Sequence, residues 1–115
     1  MTRDLAHLRA QVSAYLIQHA GTPGLTSVGR FDGKLFVAQL TRPTDYYGVV
    51  HGTTADSARC GPYVDKMPPN VFLSGPAAAK VTGGTMPPKF DGSSGWYFNI
   101  KTGTLYANHR GGADW

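Results

Sequence analysis

The chain has 115 residues, enough for one domain and too few for two separate cores. Its 41% hydrophobic and 16% charged residues exclude a disordered segment, and no apolar run reaches the ~18 residues of a membrane-spanning helix. The net charge is +4, but the 11 Lys and Arg residues are scattered without a run, so the clustered footprint of a nucleic-acid groove is missing and nucleic acid is not expected as a partner.

From Thr2 to His19, Leu5, Leu8, Val12, Tyr15 and Leu16 recur at steps of three or four, which predicts an amphipathic helix. Thr2 is read as its N-cap, Asp4 suits the first turn, and Gly21 with Pro23 supplies the stop. A second, short helix is predicted over Asp32 to Leu40, where Leu35, Phe36 and Leu40 share a face, Asp32 caps the start and Pro43 closes the end. From Thr41 to Asn70 the chain is polar, interrupted by Gly and Pro and without period, and reads as an ordered loop crossing the surface. Ala79 to Thr82 is read as a short strand. Gly95 to Ile100 and Thr104 to Asn108 form a hairpin whose turn is Lys101, Thr102 and Gly103. Trp96, Phe98 and Ile100 alternate onto one face, which is expected to cover the helix stripe.

Residues able to carry chemistry are sparse. Cys60 is the single cysteine, so no internal disulfide can form, and its pairing with His51 as nucleophile and base is read as coincidence. His7, His19, His51 and His109 lack metal-ligand spacing and are read as surface or helix-end residues, with His19 suited to the negative pole of the first helix. The chain has no Glu, and its Asp residues are isolated, so paired acid–base catalysis has no support. Asp91-Gly92-Ser93-Ser94 is read as a turn before the hairpin, not a calcium loop. Gly83-Gly84 and Gly111-Gly112 do not open a helix and cradle no phosphate. The expectation is therefore no catalytic residue, no metal and no cofactor. Aromatic residues supply the candidate interface instead: Tyr46, Tyr47, Tyr63, Tyr97 and Tyr106, with Tyr97 and Tyr106 on the outer face of the hairpin.

Four blocks, in order, resemble the globular region of type IV pilin-like proteins, especially the G-type (major) pseudopilins of type II secretion. DLAHLRAQVSAYLIQHAGTPG resembles the family's helix and following turn, and FVAQLTRPTD its short second helix and exit. GPYVDKMPPNVF resembles its proline loop, and GWYFNIKTGTLYAN its terminal hairpin. The chain departs from the pattern at Val71, where the loop usually has a second proline, and in NHRGGADW, where Asp114 alone stands in the family's acidic calcium-binding loop; calcium is not carried over.

The resemblance implies an α+β, pilin-like fold: one N-terminal helix on a three- or four-stranded antiparallel sheet, with residues 1–115 as a single domain lacking the hydrophobic N-terminal half-helix. Leu5, Leu8, Val12, Leu16, Trp96 and Phe98 are its expected core. It further implies a filament subunit of the periplasm or cell surface, anchored through that half-helix in the inner membrane. Its partners would be other subunits and the secretion machinery, and the isolated head would be monomeric. The alternative is a binding module for DNA or carbohydrate.

Overall fold

The computed structural model describes residues 2–26, 28–51, 60–70 and 72–110, with side chains from Asp4 onward. The cap expected of the Thr2 side chain, the departure at Val71, Gly111-Gly112, Asp114 and Trp115 lie outside the described residues. The fold is α+β. Helices α1 (Thr2–Gln18) and α2 (Gly33–Thr41) precede a one-turn 3-10 helix (Pro76–Ala79) and strands β1 (Val81–Gly84), β2 (Trp96–Asn99) and β3 (Thr104–Ala107).

Helix α1 lies on β3 and touches α2. Leu5, Leu8, Val12 and Tyr15 are buried, and Leu16 packs half-buried against the same cluster. Each buried aliphatic side chain contributes roughly 1.5–3 kcal/mol, so the packed stripe, more than intrinsic propensity, holds the helix. Beyond Gln18, His19 turns back and its Nδ1 meets the Tyr15 carbonyl at 2.8 Å, occupying one of the acceptors that a helix C-terminus leaves free.

Asp32 caps α2 as expected: its carboxylate accepts from the Lys34 amide at 2.9 Å and the Leu35 amide at 3.4 Å. Phe36 and Leu40 are fully buried, while Leu35 is only half-buried. The loop after α2 is more than a surface crossing. The Tyr63 and Val64 amides both donate to the Leu40 carbonyl, and Val64, Met67 and Asn70 enter the interior. Alternating polar and apolar residues hid this descent because only every third or fourth side chain turns inward.

The sheet has the order β1-β2-β3 and is mixed, which corrects the expectation of an antiparallel sheet. β2 and β3 form the expected antiparallel hairpin, but β1 runs parallel to β2, with Val81 opposite Trp96 and Gly83 opposite Phe98. Residues 85–95 between them are too many for a tight hairpin and carry the chain back to the starting end, which is what a parallel neighbour requires. The first strand also begins later than Ala79. Pro76, at the start of a helical turn, commits Ala77 to Ala79 to the 3-10 helix, and the strand then continues through Gly83, where a β-carbon would lie 2.7 Å from the Phe31 ring.

Trp96 and Phe98 are fully buried with the α1 stripe, and Ile100 packs at the edge of that cluster. The Trp96 indole Nε1 donates to the Pro68 carbonyl at 2.8 Å, which ties the proline loop to the core. In the hairpin turn the Asn99 side chain accepts from the Lys101 and Thr102 amides, and Gly103 takes a φ of 73°.

Both edges of the sheet are covered from within. On β3, the Arg9 guanidinium Nε donates to the outward Leu105 carbonyl at 2.9 Å. On β1, the start of α2 sits against the Val81 carbonyl, so closely that only glycine fits at position 33.

Candidate functional site

The described surface exposes one rigidly held aromatic pair. Asp45 opens a turn in which its carboxylate accepts from the Tyr47 amide at 2.9 Å and the Val49 amide at 3.0 Å. Gly48 closes the turn with a φ of 84°, and a β-carbon there would lie 2.8 Å from the Tyr15 hydroxyl. Behind it, Gln39 is buried in α2; its Nε2 donates to the Gly48 carbonyl and its Oε1 accepts from the Gly24 amide. The Tyr46 carbonyl accepts from the Ala20 amide at the end of α1. Held from behind on three sides, the turn presents Tyr46 and Tyr47 edge to face, 57% and 80% exposed, beside Val49 at 54%. Ile17, near the same end of α1, is 84% exposed.

Two titratable residues of the interior join this turn to α1. His19 is buried and stacks on Tyr15 with centroids 3.6 Å apart. A carbonyl only accepts, so His19 Nδ1 carries a hydrogen, and Nε2 shares one with the Thr44 hydroxyl at 2.7 Å. Burial, then the charges of Asp45 and Cys60, push the Tyr15 hydroxyl up to about 12. Burial also raises Tyr63, followed by the neighbouring Cys60. The Tyr63 hydroxyl donates to Gln18 Oε1.

Of the predicted interface tyrosines, Tyr46 and Tyr47 are free to meet a partner, whereas Tyr63 is built into the junction of α1 and the loop. Tyr97 and Tyr106 are paired directly across β2 and β3 on the outer face and are half-buried. The Tyr97 hydroxyl donates to the Met86 carbonyl at 2.6 Å, and Tyr106 meets Phe90 and the Arg9 guanidinium.

The structure does not join Cys60 to His51. The His51 ring meets the Asp45 carboxylate at 3.4 Å, while Cys60 pairs through its backbone with Thr44 and borders Tyr63. Partial burial tends to raise the Asp45 carboxyl, but bonds from Val49, His51 and Tyr47 outweigh it and hold it below the ordinary range. Among the described residues no group of three or more His, Cys and Asp is placed to hold a metal, and no helix is long and apolar enough to cross a membrane.

Two histidines expected at the surface or a helix end differ from each other. His19 does close α1, but inside the core; His109 is buried beside Phe72 and accepts from Asn70 Nδ2 at 2.9 Å. Asn70 is the residue that sequence reading passed over. Its Nδ2 also donates to the Gly95 carbonyl, and its Oδ1 accepts from the Phe72 amide, so one fully buried side chain ties the proline loop to both ends of the hairpin. Its place at the end of a proline pair, just before apolar residues, was the available signal.

Compared with family models, curated proteins and solved structures, the chain matches none of them.

Proposed function

We propose that this domain is the globular head of a type IV pilin-like filament subunit, of the kind that builds the short filaments of type II secretion, and that it works by assembly, not catalysis. The observation that carries this reading is the aromatic turn, an exposed tyrosine pair fixed at the end of the N-terminal helix. Large rigid side chains held in place lose little freedom on association, which makes them suited to subunit contacts. The order of helix, short helix, proline loop and hairpin supports the same reading, because it is the order of the four resembling sequence blocks.

In this reading the subunit is anchored in the inner membrane before assembly by a hydrophobic segment joined to α1, and its head lies in the periplasm or at the cell surface. Other subunits and the secretion machinery are its partners. The test has two parts. The coding region ahead of Thr2 is read for a basic leader, a prepilin peptidase site and about twenty apolar residues, and filaments sheared from the producing cells are probed with antibody against the domain. A leader and decorated filaments support the proposal. A coding region without an apolar segment, or filaments that never carry the antigen, refutes it.

A further inference from the structure

The outer face of the sheet carries a cleft of about 280 Å3 that the filament reading leaves unused. Its floor is Thr82 and Tyr97, opposed across β1 and β2, with Asn108 just beyond β3. Its wall is the crossover turn from Lys89 to Ser93.

The hydrogen bonds of this floor can be assigned one donor at a time. The Ser94 hydroxyl has a single hydrogen and directs it to the Trp96 carbonyl at 2.9 Å. Ser94 Oγ therefore accepts from the Thr82 hydroxyl at 2.8 Å and from Asn108 Nδ2 at 3.1 Å. Asn108 Nδ2 also points at Asp91 Oδ1, at 3.5 Å, and the same carboxylate oxygen accepts from the Ser93 amide and hydroxyl. Rotating the Asn108 amide would set its oxygen against the Asp91 carboxylate, so the orientation is determined. Every donor of the floor is thus spent inward. What remains is acceptors: Thr82 Oγ1, Ser93 Oγ, the second Asp91 oxygen, and Asn108 Oδ1. The last belongs to a side chain only 2% exposed and has no partner. That oxygen is closed to solvent, so the acceptors open to a ligand are those of Thr82, Ser93 and Asp91.

The matching ligand must bring several hydrogen-bond donors and little charge, since Lys89 and Asp91 offset each other. It must also present an apolar side to Tyr97, whose ring is fixed by the bond from its hydroxyl to the Met86 carbonyl. A sugar ring has both: vicinal hydroxyls on its rim and C–H groups on its face. The volume lies just under the ~300–1,000 Å3 of drug-sized sites and suits one ring, not a chain. We infer that this cleft binds a single neutral pyranose, its hydroxyls donating to Asp91, Ser93 and Thr82 and accepting from Lys89, with its apolar face on Tyr97.

The test is a titration of the 15N-labelled chain with glucose, galactose, mannose and N-acetylglucosamine, followed by amide chemical shifts. At least one sugar is expected to give saturable shifts at Thr82, Asp91, Ser93, Tyr97 and Asn108, with a dissociation constant on the order of 1 mM. Asp91→Asn keeps an acceptor for the Ser93 turn but loses the charge, and weakens binding about tenfold without disturbing the rest of the spectrum. Lys89→Ala, at an exposed position, weakens it several-fold. No saturable shift with any of the four sugars overturns the inference. So do equal shifts with glycerol at the same concentration, shifts produced by calcium chloride but not by sugar, or binding unchanged in both variants.

Discussion

A β-carbon added to Gly33 would lie 1.8 Å from the carbonyl oxygen of Val81, so the first residue of α2 and the first residue of the edge strand are in backbone contact. Glycine is there for proximity, not for an unusual φ. Ala normally favours a helix over Gly by about 1 kcal/mol, yet Gly33→Ala is expected to destabilise the domain by ~2–4 kcal/mol in urea unfolding, because backbone must move. Gly21→Ala, with nothing within 4 Å, is the control and stays within about 0.5 kcal/mol. Equal effects at the two sites would show that the α2–β1 contact is looser than described.

Asn70 offers a second measurement. Asn70→Ala takes away one bond each from the Gly95 carbonyl, the Phe72 amide and the His109 ring. The expected loss is about 3 kcal/mol or more, comparable with truncating a core aromatic. A loss below about 1 kcal/mol would mean that water replaces all three bonds.

Stability should depend on pH on both sides of neutrality. Burial holds the His109 imidazole below its ordinary 6.5, so the unfolded chain binds more protons and stability is lost as pH falls from 6.5 through the folded value. A second loss begins below 3.8. There the Asp91 carboxylate, held down chiefly by the Ser93 hydroxyl, and Asp45, held down by its turn despite partial burial, become protonated. On the alkaline side Tyr15 has the opposite sign: its contribution is complete below pH 10.0 and disappears as pH rises through about 12. Thermal midpoints measured across pH should show a plateau between the first and last of these steps. His109→Gln is expected to remove the first step and leave the others.

The aromatic turn separates assembly from folding. Tyr46→Ser with Tyr47→Ser should change unfolding free energy by no more than about 0.5 kcal/mol, since both rings are largely exposed, while abolishing incorporation into filaments. The isolated domain is expected to sediment as a monomer. Dimers at micromolar concentration would count against the filament reading, in which the head contacts hold subunits together only alongside the anchoring helix.

Cys60→Ala should leave every binding and assembly property unchanged, because the His51 ring is engaged by Asp45 and not by the thiol. Loss of an activity on that substitution would revive the nucleophile that the sequence reading set aside.

The parts legible in advance were those written in local periodicity. The α1 stripe, the Asp32 cap and the Gly103 turn follow from neighbours three or four positions away, and each stands where the pattern put it. The direction of β1 was not legible, because parallel and antiparallel neighbours ask the same side-chain alternation of a strand; only the path of residues 85–95 distinguishes them. The acceptor-lined floor of the outer cleft was hidden for a related reason. Thr82, Asp91 and Asn108 come from three separated segments, and Asp91 read alone looks like an ordinary turn residue.

Arg9 reaches from α1 to the Leu105 carbonyl, so the helix that covers the core also closes the open margin of the hairpin. The two protections share one helix and fail together. If α1 lifts, the apolar face is uncovered and, in the same motion, a strand with free backbone groups becomes available to any neighbouring chain. Detachment of α1 therefore opens the core and the sheet edge together, and any segment that steadies α1 also acts as a guard against misassembly.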